Sequence, residues 1–430
     1  MTVDLTKPRN DIREFINQRI LHHSDSANQY SENIKMIMLK INQRKQESGL
    51  NSIPDTTLLN WIKQEITSNP RLLLKGFELN TLSQMYADAV QGYGILQSLV
   101  EDDRYSDIVV IKYDTVLAKG RNGWELQNIA FGSPKESDEF IQGVFNKQQS
   151  MLNIKYPFNN CIDPKYRLRI NGSIGDINPQ GSFMVLRKQN HYQLTDEQII
   201  EGKTANEEML ALITVYLWME LSFFVFGEQN TGKTTFLANC LDKIPEHVRL
   251  TTLEDTPEFA LNRKNWHSHV TRPHVGEGYD PVNLEDLIFN FYRESGQWIC
   301  VGEVRGKEAF YLLHASSGGN PACMSVHAPS QGLSFKRLLF LSLVESGMRE
   351  DTLEGYFKTY FKMMIGMVSE DGLKRVDTIS IENDERTGYV DVWKRIPGGE
   401  WEGKTLPNWF VNKAKESNLP RELLKKARVI

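Results

Sequence analysis

Phe223-Phe-Val-Phe-Gly227-Glu-Gln-Asn-Thr-Gly232-Lys-Thr-Thr235 is the stretch on which the fold turns. Four apolar residues make a short buried strand. The pattern Gly227-x-x-x-x-Gly232-Lys233-Thr234 follows at once, and Phe236-Leu-Ala-Asn-Cys-Leu continues with helical character. Strand, glycine loop and helix in that order make a phosphate-binding P-loop. The glycines let backbone N–H groups turn inward on phosphate oxygens, and the helix start adds its positive dipole end. Lys233 is then expected at the β- and γ-phosphates and the Thr234 hydroxyl on Mg²⁺. Gly227, Asn230, Thr231, Gly232 and Thr235 complete the cradle, and the implied ligand is ATP with Mg²⁺.

Upstream, residues 209–226 form the richest apolar stretch, broken by Glu220, and read as a helix followed by that strand. Downstream, Thr251-Thr-Leu-Glu254-Asp255 and Ile299-Cys-Val-Gly-Glu303-Val-Arg305 are apolar strands that end in carboxylates. Parallel strands in an α/β sheet present their C-terminal ends to the ligand. Glu254, Asp255 and Glu303 are therefore expected beside the phosphates, with Glu303 holding Mg²⁺ or polarising the attacking water. Taken singly, each acid reads equally well as a solvated strand end. Ser316-Ser-Gly-Gly-Asn imitates a transporter signature loop, but it follows the acidic strand instead of preceding it.

Residues 1–96 read as a helical region. Ile34, Met38 and Ile41 share one helical face, as do Leu58, Ile62 and Ile66, and Asp55 is the expected N-cap after Pro54. Residues 97–190 read as an α+β domain. Strands are expected at 107–113 and from Trp124, with a turn at Gly120-Arg-Asn-Gly123 between them. A helix is expected over 137–149, and alternating strands at Tyr166-Arg-Leu-Arg-Ile and Ser182-Phe-Met-Val-Leu-Arg. Residues 191–204 form a linker, in which Thr195 and Gln198 make a capping box. From 205 to 430 helices and strands alternate as in a mostly parallel α/β sheet.

The 430 residues carry a net charge of -5, which argues against a protein built to coat nucleic acid. Residues 1–10 lack the apolar core of a signal peptide. No run of about 18 apolar residues occurs, so a cytoplasmic protein without a transmembrane segment is expected. Cys161, Cys240, Cys300 and Cys323 show neither Cys-x-x-Cys pairing nor a zinc-like spacing to histidine, and read as buried thiols. The basic end, with Lys413, Lys415, Arg421, Lys425, Lys426 and Arg428, reads as solvated helix or as a docking surface for acidic lipid.

Over about residues 90–390 the chain resembles the motor ATPases of type II and type IV secretion, conjugation and type IV pili, with the tight-adherence pilus branch nearest. Gly92-Tyr-Gly-Ile-Leu resembles the family's glycine-rich lead-in. Tyr166-Arg167-Leu-Arg169 and Val185-Leu-Arg187 resemble its arginine strands, and Leu253-Glu254-Asp255-Thr-Pro-Glu258 its Asp box. Val301-Gly-Glu303-Val-Arg305-Gly-Lys-Glu308 is similar to its Walker B, Ser325-Val-His327-Ala to the end of its His box, and residues 371–379 to its C-terminal hairpin. The resemblance implies an α/β fold with a C-terminal RecA-like P-loop NTPase domain, preceded by a PAS-like α+β domain and an N-terminal helical bundle. It implies a homo-hexamer at the cytoplasmic face of the membrane, working with inner-membrane platform or secretion-channel proteins. Glu303 would orient or deprotonate water, Glu254 and Asp255 would support Mg²⁺ and water, and His327 would sense the γ-phosphate. Arg305 belongs to the same catalytic set, and Arg167 and Arg187, with Arg169 behind them, would approach the phosphates on domain closure.

The chain departs from the family at Gly296-Gln297, where Pro-Asp is usual, and at Gly319, where the first His-box histidine stands. Gln229-Asn230-Thr231 replaces Thr-Gly-Ser. These substitutions raise a nucleotide-gated assembly subunit with weak or no hydrolysis as the alternative, with a nucleic-acid translocase as a third reading.

Overall fold

The computed structural model describes residues 24–50, 53–120, 123–189, 193–272, 280–370, 372–396 and 398–430, which divide into two compact units with the sequence boundary after residue 189. The segment 1–10 and the centre of the expected turn, 121–122, lie outside the described residues.

In the first unit, helices α1 (Ser24–Ser48), α2 (Asp55–Ser68), α3 (Leu79–Gln91) and α4 (Gln97–Glu101) precede the first strand. Ile34, Ile41, Leu58, Ile62 and Ile66 are all buried in one core, so both expected helical stripes face inward. Asp55 is not the N-cap. Pro54 holds that position without a side-chain cap, and the Asp55 carboxylate instead accepts from Gln91 Nε2 at 2.8 Å, tying α2 to α3.

Strands β1 (Asp107–Lys112), β2 (Thr115–Gly120), β3 (Gly123–Gln127), β4 (Phe158–Asp163), β5 (Leu168–Ser173) and β6 (Phe183–Lys188) form an antiparallel sheet of order β3-β2-β1-β6-β5-β4. Ile108, Val110, Leu168, Ile170, Met184 and Leu186 turn inward on the alternation that a half-buried sheet requires. Helix α5 (Pro134–Lys147) starts three residues before the expected position, because Ser133 caps it by accepting from the Glu136 N–H.

In the second unit the capping box of Thr195 and Gln198 opens α6 (Asp196–Glu201), as its spacing requires. Asn206 caps α7 (Glu207–Trp218), Glu220 turns the chain at φ 58, and β7 (Ser222–Gly227) follows. The chain then runs through α8 (Lys233–Asp242), β8 (Leu250–Glu254), β9 (Trp266–Val270), α9 (Leu284–Phe291), β10 (Trp298–Val304), α10 (Glu308–Ser317) and β11 (Ala322–His327). It continues with α11 (Gln331–Ser346), α12 (Glu350–Tyr360), β12 (Phe361–Glu370), β13 (Leu373–Glu382), β14 (Tyr389–Arg395), β15 (Trp401–Gly403), α13 (Asn408–Glu416) and α14 (Arg421–Lys426).

The nine-stranded order is β15-β14-β13-β12-β7-β11-β10-β8-β9. The six strands from β12 to β9 are parallel, and β13, β14 and β15 extend them as an antiparallel flank. β7 lies among the parallel strands and is buried throughout. Phe223 and Val225 pack into one apolar cluster and Phe224 and Phe226 into another, on opposite faces of the sheet. A strand covered on both faces has no reason to alternate polar residues, which is why its sequence is continuously apolar.

The basic C-terminus folds back. Lys426 pairs with Glu207 and Arg428 with Glu208, at the acidic first turn of α7, and Arg428 lies 4.6 Å from the Trp393 ring centre. All four cysteines are buried free thiols, and burial raises those of Cys161 and Cys240 to about 12.

Candidate functional site

The strand order assembles the site. β11, β7, β10 and β8 run parallel, so Gly227, His327, Glu303 and Glu254 all arrive at the same end of the sheet. His327 is the register partner of Gly227. The loop turns tightly there. A Cβ on Gly227 would lie 2.4 Å from the Met367 carbonyl oxygen, so only glycine fits. Gly232 takes φ 86 as the N-cap of α8, a left-handed position that favours glycine. Asn230, at φ 63, occupies another such position, which asparagine tolerates.

No side chain caps α8, so the donors of its first turn stay open to a ligand at the loop. This uncapped helix start, with a buried lysine behind it, fits a phosphate chain.

Lys233 is 5% exposed, and its ammonium donates to the Glu228 carbonyl at 2.7 Å and to His327 Nδ1 at 3.1 Å. Thr231 Oγ1 donates to the same carbonyl at 2.9 Å. Thr234 and Thr235 are half-buried on the first turn of α8. On the other side of the imidazole, His327 Nε2 lies 3.2 Å from Glu303 Oε1. Arg305 reaches Glu303 Oε2 at 2.5 Å and Asp255 at 3.8 Å. A continuous polar chain thus runs Lys233–His327–Glu303–Arg305–Asp255. An ammonium only donates, so Nδ1 of His327 accepts and Nε2 carries the proton it gives to Glu303.

Burial lowers the Lys233 ammonium to about 8, against the opposing charges of Glu303 and Glu258. Burial also lowers His327, aided by the Lys233 charge and opposed by Glu303, which keeps the imidazole neutral. Burial pushes Glu303 upward, but its hydrogen bond to Arg305 and the neighbouring positive charges outweigh this, leaving it below the ordinary value.

Glu254 differs. It is 3% exposed and burial raises it to about 7, even though Oε1 accepts from the N–H groups of Glu258 (2.7 Å) and Phe259 (2.9 Å). The two acid-tipped strands therefore carry carboxylates of opposite character, one ionised and one poised near neutrality.

Arg167, Arg169 and Arg187 lie in the first unit. Arg169 and Arg187 are register partners, and Arg187 is also paired with Asp107, its Nε 3.7 Å from that carboxylate. Arg167, expected within a strand, instead stands at φ 53 just before β5.

Some supporting residues carry no role that the sequence assigned to them. Glu308 Oε1 accepts from the N–H groups of Arg305 (2.5 Å) and Gly306 (2.7 Å), fixing the turn after Glu303. Its sign in the sequence is an acid at the first position of a helix. Ser325 Oγ donates to the Gly302 carbonyl at 2.6 Å and Ser268 Oγ to Glu254 at 3.4 Å. Lys374 would lie 3.2 Å from a Cβ at Gly232, a proximity that only the β12–β13 hairpin creates.

Residues 166–355 match the family described as Type II/IV secretion system protein. An uncharacterized protein of Methanocaldococcus jannaschii is 27% identical over 263 residues, covering 58% of this chain and 36% of its own length. The chain spans between 29% and 52% of the length of three such relatives from that organism. The type IV secretion system protein VirB11 of Bartonella quintana is 24% identical over 324 residues, covering 66% of this chain and 90% of that protein. The solved Legionella pneumophila ATPase DotB is 17% identical, covers 68% of this chain and 81% of that one, and superimposes with a TM-score of 0.46. The family-model match and the sequence relatives support a relationship to the type II/IV secretion system proteins. Among the described residues no helix is long and apolar enough to cross a membrane.

Proposed function

We propose that this chain, as a relative of the secretion ATPases, is an ATP-hydrolysing motor of a type IV secretion, conjugation or pilus system, with the tight-adherence branch as its nearest kin. The observation that carries the proposal is the run from the glycine loop through Lys233 and His327 to Glu303 on neighbouring parallel strands. A phosphate chain seated on residues 227–235 would meet the open N–H groups of α8 and the Lys233 ammonium. Its far end would then come near His327 and Glu303. Thr234 and Glu303, with Glu254 behind them, are the residues to hold Mg²⁺, which neutralises charge developing on the phosphates. Glu303, kept ionised, orients the attacking water and takes its proton. His327, neutral and shared between Lys233 and Glu303, reports the presence of the terminal phosphate to both.

On this reading the second unit is the RecA-like domain and the sheet of the first is the PAS-like one, with Arg167 and Arg187 supplying positive charge when the domains close. Closure follows if ATP binds the closed state more tightly than the open one. A homo-hexamer at the cytoplasmic face of the membrane, docked on platform or channel proteins, completes the proposal.

Phosphate release by the purified chain tests it. Lys233→Ala removes the buried cation and is expected to abolish nucleotide binding. Glu303→Gln is expected to keep binding while hydrolysis falls at least about a hundredfold, as when a preorganised catalytic group is lost. Full turnover in the glutamine variant removes Glu303 from its role, and no turnover in the unaltered chain leaves the assembly-subunit reading standing.

A further inference from the structure

A second cluster of ligating side chains lies away from the phosphate loop, at the edge of the nine-stranded sheet. β9 is the last strand, and alternation places His267 and His269 on one of its faces. Ser268 takes the other face and donates to Glu254. In the parallel register His267 and His269 stand beside Thr251 and Leu253, on the face over which Leu253 packs in one cluster with Leu287 and Phe291 of α9. Glu294 follows the end of α9 and meets them there. His269 Nε2 lies 2.6 Å from Glu294 Oε1, and the two imidazole centres are 4.5 Å apart with their planes at 78°. One ligand atom from each of the three residues lies within 4.8 Å of the others.

We propose that His267, His269 and Glu294 form a binding site for a divalent first-row transition-metal cation. Two imidazoles and a carboxylate are the ligand set that zinc and its neighbours accept, and a fourth position stays open to water or a partner's side chain. Metal–nitrogen bonds of about 2.0–2.1 Å at tetrahedral angles hold ligand atoms roughly 3.3 Å apart. The three groups here, with ligand atoms within 4.8 Å of one another, lie close to that spacing.

An isolated histidine–glutamate pair would explain one imidazole and not the second. Among the described residues the His267 side chain makes no hydrogen bond; its contact is with the His269 ring. Glu294, meanwhile, is held from behind. Asn290 Nδ2 donates to its Oε1, and Arg249 Nη1 donates to its backbone carbonyl at 2.7 Å. Outer partners of this kind fix a ligating carboxylate in place before the ion arrives. The ligands come from two segments, residues 267–269 and residue 294. A bound ion would therefore fasten an edge strand, which has a neighbour on one side only, to the end of α9.

The full chain, stripped with chelator and titrated with Zn²⁺ against a chromophoric competitor, provides the test. One equivalent should bind, and His267→Gln and Glu294→Gln should each weaken that binding at least about tenfold. His267 is exposed, so its variant should fold unaltered, which circular dichroism of the metal-free protein checks. His327→Ala serves as the counter-variant, because His327 and Glu303 are the other close imidazole and carboxylate. Zinc binding that survives His327→Ala and fails in His267→Gln supports the site. Binding lost with His327→Ala but kept in His267→Gln assigns the ion to the phosphate loop and overturns the proposal, as does the absence of any binding tighter than millimolar. The outcome does not depend on whether the chain hydrolyses ATP.

Discussion

Glu254→Gln should make the protein more stable at neutral and alkaline pH. In the folded chain burial raises this carboxyl from 4.5 to about 7. Below the unfolded value both states hold the proton and the residue contributes nothing to the pH dependence. Between 4.5 and 7 the unfolded chain ionises while the folded one stays protonated, so stability falls as pH rises. Above 7 the folded state must ionise a buried group, and the cost levels off. A gap from 4.5 to about 7, at about 1.4 kcal/mol per pH unit, amounts to roughly 3 kcal/mol at pH 8.

Glutamine removes that cost without disturbing the contacts. Its carbonyl still accepts from the N–H groups of Glu258 and Phe259, and its amide still meets Ser268 Oγ. Urea denaturation followed by tryptophan fluorescence suits the measurement, since Trp266 donates its indole N–H to Thr252 of β8 beside the site. The variant should gain most over the unaltered chain at pH 8 and little at pH 5, with a difference of about 2–3 kcal/mol between the two conditions. A stability difference that stays constant from pH 5 to pH 8 would refute the assignment of a raised carboxyl. Such a gain accompanied by lost turnover would mark a group retained for function against stability.

Arg305→Met removes the hydrogen bond and charge that hold Glu303 down, leaving burial to push its carboxyl upward. The acidic limb of the ATPase pH–rate profile should then move to higher pH, and an unmoved limb would separate Arg305 from Glu303. Gly296→Ala should destabilise the second unit, because its Cβ would fall 2.0 Å from the Phe291 ring. Overpacking of this kind costs about 1–3 kcal/mol, which a thermal melt resolves.

The glycine loop of the candidate site was legible because its geometry is local. Strand, glycines, lysine and helix follow one another within residues 222–242, and backbone sterics at Gly227 and Gly232 dictate the residue types. The strand–acid endings at Glu254 and Glu303 were legible for the same reason, since buried parallel strands announce themselves as apolar runs. What joins these segments is not local. The chain Lys233–His327–Glu303–Arg305–Asp255 depends on strand order, and no property of residue 327 by itself reveals that β11 inserts between β7 and β10. The two carboxylates also look alike in sequence; burial raises both, and the Arg305 hydrogen bond with the nearby positive charges lowers Glu303 alone. The Asp55 reading failed on a similar point. An acid next to a proline fits a cap, but its carboxylate finds a partner in Gln91, 36 residues away. His267 and His269 are two apart on a strand, a spacing that becomes informative only once Glu294 is seen to return beside them.

The departures from the secretion-ATPase pattern have positions that bear on the choice between motor and assembly subunit. Gly296 and Gln297 precede β10, and Gly319 precedes β11, so all three lie at the N-terminal ends of strands whose C-terminal ends carry Glu303 and His327. At about 3.3 Å per residue, Gln297 stands roughly 20 Å along β10 from Glu303. Each departure also has work of its own in the fold. Gln297 Oε1 accepts from the Arg249 N–H at 2.9 Å, pinning the lead-in to β8 against that of β10. Gly296 gives Phe291 its space, and Gly319 turns the chain at φ 96 after α10. Of the replaced family positions only those in 229–231 lie at the cradle. There Asn230 fills a left-handed position suited to it, and Thr231 fastens the loop through the Glu228 carbonyl. The substitutions that raised weak hydrolysis as an alternative are thus explained by packing far from the glycine loop and by permissible backbone geometry within it. Neither gives a physical reason for Glu303 to lose the role proposed for it.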